Sequence, residues 1–201
     1  MRDVIQSNRK RVNELFNLIQ ASDGSGAEIG LEEATEKAIN SILEHSQLGG
    51  KVILIGNGGS AAIASHMAID FWKTTSIKAV SFNDGALLTC IGNDLGYENV
   101  FAKPIEMFAE DDDLVIAISS SGQSPNILNG VRAAKDQGLR IFTLSGFKED
   151  NPLRSMGDLN FYVPASHYGH VECLHHFICH SFIDVINDMK VELTERAIIH
   201  E

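Results

Sequence analysis

His66 and Asp70 stand four residues apart, and Glu172, His176 and His180 repeat the same spacing near the other end of the chain. On helices, residues at i and i+4 share a face. Two such helices could present imidazoles and carboxylates to each other, a composition suited to a divalent metal or to paired acid and base groups. His175 lies beside this run, and His167 and His170 precede it, so some of these histidines must be bystanders. His170-Val171-Glu172 has the H-x-E outline of a zinc deaminase, but no P-C-x-x-C follows, and no H-E-x-x-H occurs.

Two loops have the make-up of anion cradles. Gly56-Asn57-Gly58-Gly59-Ser60-Ala61-Ala62 supplies glycines for a tight turn and free N–H groups at a helix start. The same residues fit a dinucleotide fingerprint, Gly56-x-Gly58-x-x-Ala61, or a turn with no ligand at all. In Ser119-Ser120-Ser121-Gly122-Gln123-Ser124-Pro125, four hydroxyls gather on one turn at the head of a helix, where neutral donors and the helix N-terminus can hold phosphate without a cation. Ser124 with Pro125 also reads as an ordinary N-cap, but one cap does not call for three further serines. Between the loops, Ile91-Gly92-Asn93-Asp94-Leu95-Gly96 reads equally as a helix end with its turn or as a site for sugar hydroxyls.

The elements that must position these groups follow from periodicity. Short apolar runs at 51–55, 78–82, 113–119, 140–145 and 159–163, each bounded by turn residues and separated by helical stretches, predict parallel βα units. The expected fold is α/β: a doubly wound, five-stranded parallel sheet flanked by helices in a flavodoxin-like three-layer arrangement. A helical extension precedes it, with one amphipathic run through Val4, Ile5, Val12, Leu15, Phe16 and Ile19 and another from Leu31 through Leu43, separated by a loop at 21–30. A long core-covering helix is expected over about 169–194. Residues 1–48 are read as helices packing on the core or on a neighbouring subunit, and residues 49–201 as the domain proper. Ligands of such sheets gather at the carboxyl ends of the strands, which is where the glycine and serine loops fall.

The 201 residues suffice for one full-sized core. A net charge of −11 argues against nucleic acid or an anionic membrane as partner, because both would repel the average surface. Cys90, Cys173 and Cys179 lack C-x-x-C spacing and lie in apolar stretches, as reduced cytosolic cysteines do. The first 20 residues lack the apolar core of a signal peptide, and no run reaches the roughly 18 apolar residues of a membrane span. The expected location is the cytoplasm.

Taken together, G-N-G-G-S, then N-D, then S-x-S-G-x-S, then a final helix bearing histidines, resembles the sugar isomerase (SIS) domain family, and within it the phosphoheptose isomerases, over most of 31–187. The resemblance implies that Asn57, Gly58, Gly59, Ser60, Asn93, Asp94, Ser119, Ser120, Ser121, Ser124 and Glu172 bind a phosphorylated sugar. It implies a divalent metal, zinc, on His66, Asp70, Glu172 and His180, with Asp70 and His180 as the catalytic pair. It further implies a homo-oligomer, a tetramer, and isomerisation of sedoheptulose 7-phosphate to glycero-manno-heptose 7-phosphate.

Three departures matter. Asp70 stands where those isomerases place Glu, and Glu172 where they place Gln. Bringing His180 onto the family's histidine requires a preceding loop about three residues shorter; without that gap Ile183 takes the position and the acid is lost. A non-catalytic SIS protein, binding a sugar phosphate or a protein partner, therefore stands as the alternative. A nicotinamide enzyme is a third reading, in which Asp84 would have to serve as the ribose-binding acid.

Overall fold

A computed structural model describes the backbone of residues 1–199 and the side chains of residues 1–192. Five parallel strands form the sheet: β3 (Val52–Gly56), β4 (Ala79–Ser81), β5 (Leu114–Ser119), β6 (Arg140–Gly146) and β7 (Leu159–Val163). Four of them are buried at almost every position because both faces are covered. Alternation along β3 sends Val52 and Leu54 to one layer of the core and Ile53 and Ile55 to the other. The first layer is closed by α2 (Leu31–Gln47), α3 (Gly59–Thr75) and α7 (Tyr168–Ile199). The second is closed mainly by α5 (Ala102–Phe108) and α6 (Pro125–Asp136), with α4 (Gly85–Asp94) at its margin.

One expectation is corrected. The stretch read as a loop at 21–30 contains two short antiparallel strands, β1 (Gln20–Asp23) and β2 (Glu28–Ile29), which extend the sheet beyond β7 and bring it to seven strands. Asp23 Oδ1 shapes their connection by accepting from Ser25 N, Ser25 Oγ and Ala27 N. Strands of four and two residues are too short to show a period, and they form because the free edge of β7 offers unpaired backbone groups. The N-terminal helix α1 (Arg2–Phe16) buries only Leu15, leaving Val4 and Ile5 exposed, whereas α2 contributes Ala34, Ala38, Ile39 and Ile42 to the core.

The strand order is β2-β1-β7-β6-β5-β3-β4. Within the parallel portion the chain starts at β3, goes outward to β4, and returns across β3 to β5. The topological switch point therefore lies between β3 and β5, where the connections leave the sheet in opposite directions and open a crevice. The glycine loop follows β3 and the serine loop follows β5, so the two loops face each other across that crevice.

Candidate functional site

Gly58 turns the chain out of β3 with φ 54° and ψ −120°, a conformation open only to glycine, and so places α3 with its N-terminus toward the crevice. A Cβ at Gly56 would strike the backbone of Ser60 at 2.5 Å, so this turn also needs glycine for closeness of packing. No side chain caps α3, and its first N–H groups remain available. On the other side, Gly122 sits at φ 62° with its Cα against the Asn151 amide, leaving no room for a side chain. Asn151 is itself buried and donates to Ser145 Oγ, Gly146 O and Lys148 O, which fixes the floor under the serine loop.

Ser124 occupies the N-cap position of α6 with Pro125 in the first turn, but its hydroxyl makes no capping bond. It lies instead 3.5 Å from Ser119 Oγ. Ser120 Oγ is buried without a partner in the protein. These hydroxyls and two helix N-termini converge on a cavity of about 240 Å³ lined by Asn57, Gly58, Gly59, Ser60, Ile118, Ser119, Ser120, Ser121, Ser124, Tyr168 and Glu172. Neutral donors thus line one side of a space of ligand size, the arrangement an oxyanion needs, with the Glu172 carboxylate on its wall.

Asn57 is tied to Asn126 by a reciprocal amide pair, 2.8 Å in each direction, and accepts from Tyr97 Oη at 3.4 Å. It thereby clamps the glycine loop to the first turn of α6. Asn93 and Asp94 do not line the cavity. They are exposed at the end of α4, where Asn93 Nδ2 donates to Asp94 Oδ1 at 2.7 Å. That end of α4 behaves as the helix-end reading expected, with Leu95 as C-cap and Gly96 at φ 88°.

From the cavity, α3 and α7 run side by side. The Glu172 carboxylate rests against Gly59 at the start of α3. Farther along, the rings of His66, His176 and His180 gather, with centroids 5.2 Å apart for His66–His176, 5.5 Å for His66–His180 and 4.7 Å for His176–His180. One ligand atom from each of the three lies within 4.8 Å of the others. Asp70 Oδ2 is 3.1 Å from His66 Nε2, and Lys73 Nζ is 2.9 Å from Asp70 Oδ1. Burial works against ionisation of Asp70, but the Lys73 hydrogen bond and the charges of His66, Lys73 and His180 outweigh it and hold the carboxyl below its usual range. Burial, reinforced by the neighbouring His180 and His66, lowers the pKa of His176.

Five residues of this region are not among the expected site residues: Ile118 and Tyr168 around the cavity, Asn126 and Tyr97 behind Asn57, and His176 among the histidines. His176 had a signal, since it belongs to the i+4 series with Glu172 and His180. His175, its neighbour, points the opposite way into the core, where Nε2 meets the carbonyl of Ser145 at 3.0 Å. Ile183 is buried at 2% exposure, whereas His180 faces His66 and His176.

The SIS domain profile matches residues 27–146 of this sequence. The chain belongs to the SIS domain family. Among its relatives, phosphoheptose isomerase of Fusobacterium nucleatum is 35% identical over 155 residues, covering 75% of this chain and 79% of the relative. The phosphoheptose isomerase of Aliarcobacter butzleri is 34% identical over 164 residues, covering 79% and 86%. The solved phosphoheptose isomerase of Neisseria gonorrhoeae superposes with a TM-score of 0.81 at 27% identity, over 92% of this chain and 98% of that one. The SIS profile ends before α7, so it spans both cradle loops but none of the C-terminal histidines. Among the described residues, no helix is long and apolar enough to cross a membrane.

Proposed function

We propose that this SIS protein is a phosphoheptose isomerase, interconverting sedoheptulose 7-phosphate and D-glycero-D-manno-heptose 7-phosphate through an enediol. The observation that carries the reading is the course of α3 and α7 away from the crevice. His180 lies two turns beyond Glu172, and His66, which Asp70 touches at 3.1 Å, lies two turns beyond Gly59, roughly 10 to 12 Å along the helices at the α-helical rise. That is the length scale of an extended sugar whose phosphate sits in the cradle. Phosphate at one end and acid–base groups at the other fit a substrate that reacts far from its phosphate.

In this reading Ser119, Ser120, Ser121, Ser124 and the N–H groups of Gly59 and Ser60 hold the phosphate, while Asn57 keeps the two loops in register. Glu172 and Tyr168 line the way toward the reacting end, whereas Asn93 and Asp94 lie outside the cavity. Asp70 takes the proton from C1 of the ketose as electrons move to the C2 carbonyl oxygen, which gains a proton to give the enediol. Return of a proton to C2 and loss of the O1 proton give the aldehyde, with His180 handling the proton on the side opposite Asp70. Lys73 keeps Asp70 ionised between turnovers.

A divalent metal, zinc, is the proposed cofactor. The donor set suits it: imidazole nitrogens with a carboxylate beside them. When bound it supplies Lewis acidity to the oxygens of the reacting carbons. His66 and His180, with Asp70 alongside, would hold it.

Exposed apolar residues on the outer faces of α3 and α7, among them Ile69, Trp72, Phe177 and Val185, support a homo-oligomer, with a tetramer as the reading. Sedimentation of the purified chain tests this; a monomer at micromolar concentration would refute it. The activity is tested by incubating zinc-loaded protein with sedoheptulose 7-phosphate and following aldose phosphate by NMR. Turnover in the parent and its loss, by about 1000-fold or more, in Asp70→Asn is the expected result. Saturable binding of the sugar phosphate without turnover would move the assignment to a non-catalytic SIS protein. That alternative is kept open by the single observation that the position of the family's Glu is held by the shorter Asp70.

A further inference from the structure

His176 is the third histidine of the cluster between α3 and α7, and the phosphate cradle makes no use of it. Its Nε2 is screened from solvent and has no hydrogen-bond partner in the protein. An imidazole nitrogen in that condition costs free energy unless something binds it. Around it are His66, 5.2 Å away between ring centroids, and His180, 4.7 Å away. The three ligand atoms already lie within 4.8 Å of one another. A tetrahedral zinc ion with nitrogen ligands at about 2.0–2.1 Å requires separations of about 3.4 Å, so the ligand atoms need to draw together by no more than about 1.4 Å.

Glu172 is placed differently. Its carboxylate is seated against Gly59 at the N-terminus of α3 and lines the sugar-phosphate cavity. Since Glu172, His176 and His180 follow one another at i+4 on α7, His176 stands between Glu172 and His180 along that face. To join His66 and His180 at one ion, Glu172 would have to abandon its position on α3 and pass His176.

We infer that this chain binds its metal ion through three histidines, His66, His176 and His180, and that Glu172 serves the sugar-phosphate cavity and does not ligate the ion. The inference rests on the proposed metal site, adds His176 to its two histidines and removes Glu172, which the family resemblance implied as a ligand. Asp70, beside His66 and paired with Lys73, is then left as the base next to a three-histidine ion.

The test is zinc affinity of the chelator-stripped chain, measured by competition with a chromophoric chelator, in the parent and in His66→Gln, His176→Gln, His180→Gln and Glu172→Gln. Loss of an outer-shell partner alone costs about 10- to 100-fold in metal affinity, so each histidine variant should weaken zinc by about 100-fold or more. Glu172→Gln should stay within about twofold of the parent. His176→Cys, which restores a zinc donor at the same place, should recover most of the affinity and controls for folding. X-ray absorption on the zinc-loaded parent should count three imidazole nitrogens. Parent-like affinity in His176→Gln, weakened binding in Glu172→Gln, or a count of two imidazoles each overturns the inference while leaving the metal site standing. A parent that binds no zinc, or a zinc affinity indifferent to His66 and His180, sinks the metal site itself and this ligand set with it.

Discussion

Mild acid should destabilise this protein through one buried side chain, His175. Its ring is fully buried, Nε2 donates to the carbonyl of Ser145, and Nδ1 has no partner. A carbonyl can only accept, so the proton resides on Nε2, and a second proton would place an unpaired cation in the core. Burial accordingly lowers the pKa from 6.5 to about 4. Because the folded value lies below the unfolded one, the unfolded chain binds the extra proton first. The contribution of neutral His175 is complete above about pH 6.5 and is lost as the pH falls toward 4. Two and a half units correspond to about 3 kcal/mol in all. The isoelectric point near 5.1 restricts clean measurement to higher pH. Between about pH 7.5 and about pH 5.5 the expected loss is about 1 kcal/mol. Urea unfolding of metal-free protein, followed by circular dichroism at both pH values, measures it. His175→Gln keeps a donor for Ser145 but cannot titrate. It should be less stable than the parent at the higher pH, and the gap should shrink by about 1 kcal/mol at the lower one. Other titrating groups, His176 included, are common to both chains and cancel. A gap that stays constant across the two pH values would refute the assignment of the acid sensitivity to His175.

Two further perturbations probe the site. Lys73→Met removes the ammonium that holds the Asp70 carboxyl low, so the acid limb of the pH–rate profile should move to higher pH; an unmoved limb would show that Lys73 does not set the state of the base. Gly59→Ala puts a methyl group where the Glu172 carboxylate now lies, displacing it into the cavity. Binding of sedoheptulose 7-phosphate, read by calorimetry, should weaken by about tenfold or more, equivalent to about 1.4 kcal/mol, with unfolding little changed. Unaltered affinity would remove Glu172 from the cavity's working surface.

The five parallel strands and the two loops at their carboxyl ends were legible without coordinates, because apolar runs of five to seven residues and clusters of glycine and serine are local signals. The sequence also placed His66 with Asp70 and Glu172 with His176 and His180, since i+4 spacing on a helix needs no knowledge of the rest of the chain. The hairpin of β1 and β2 was invisible, because its stability comes from the edge of β7, distant in sequence. The rotation of α7 about its own axis was decided only by packing. His175 and His176 are adjacent in the sequence and chemically identical, yet burial of Leu174, Ile178 and Phe182 turns the first into the core and leaves the second facing His66 on α3. Likewise nothing local says whether Glu172 reaches back to Gly59 or forward to the histidines. That depends on where α3 begins relative to α7, which is set by the glycine turn after β3 and by the crevice between β3 and β5.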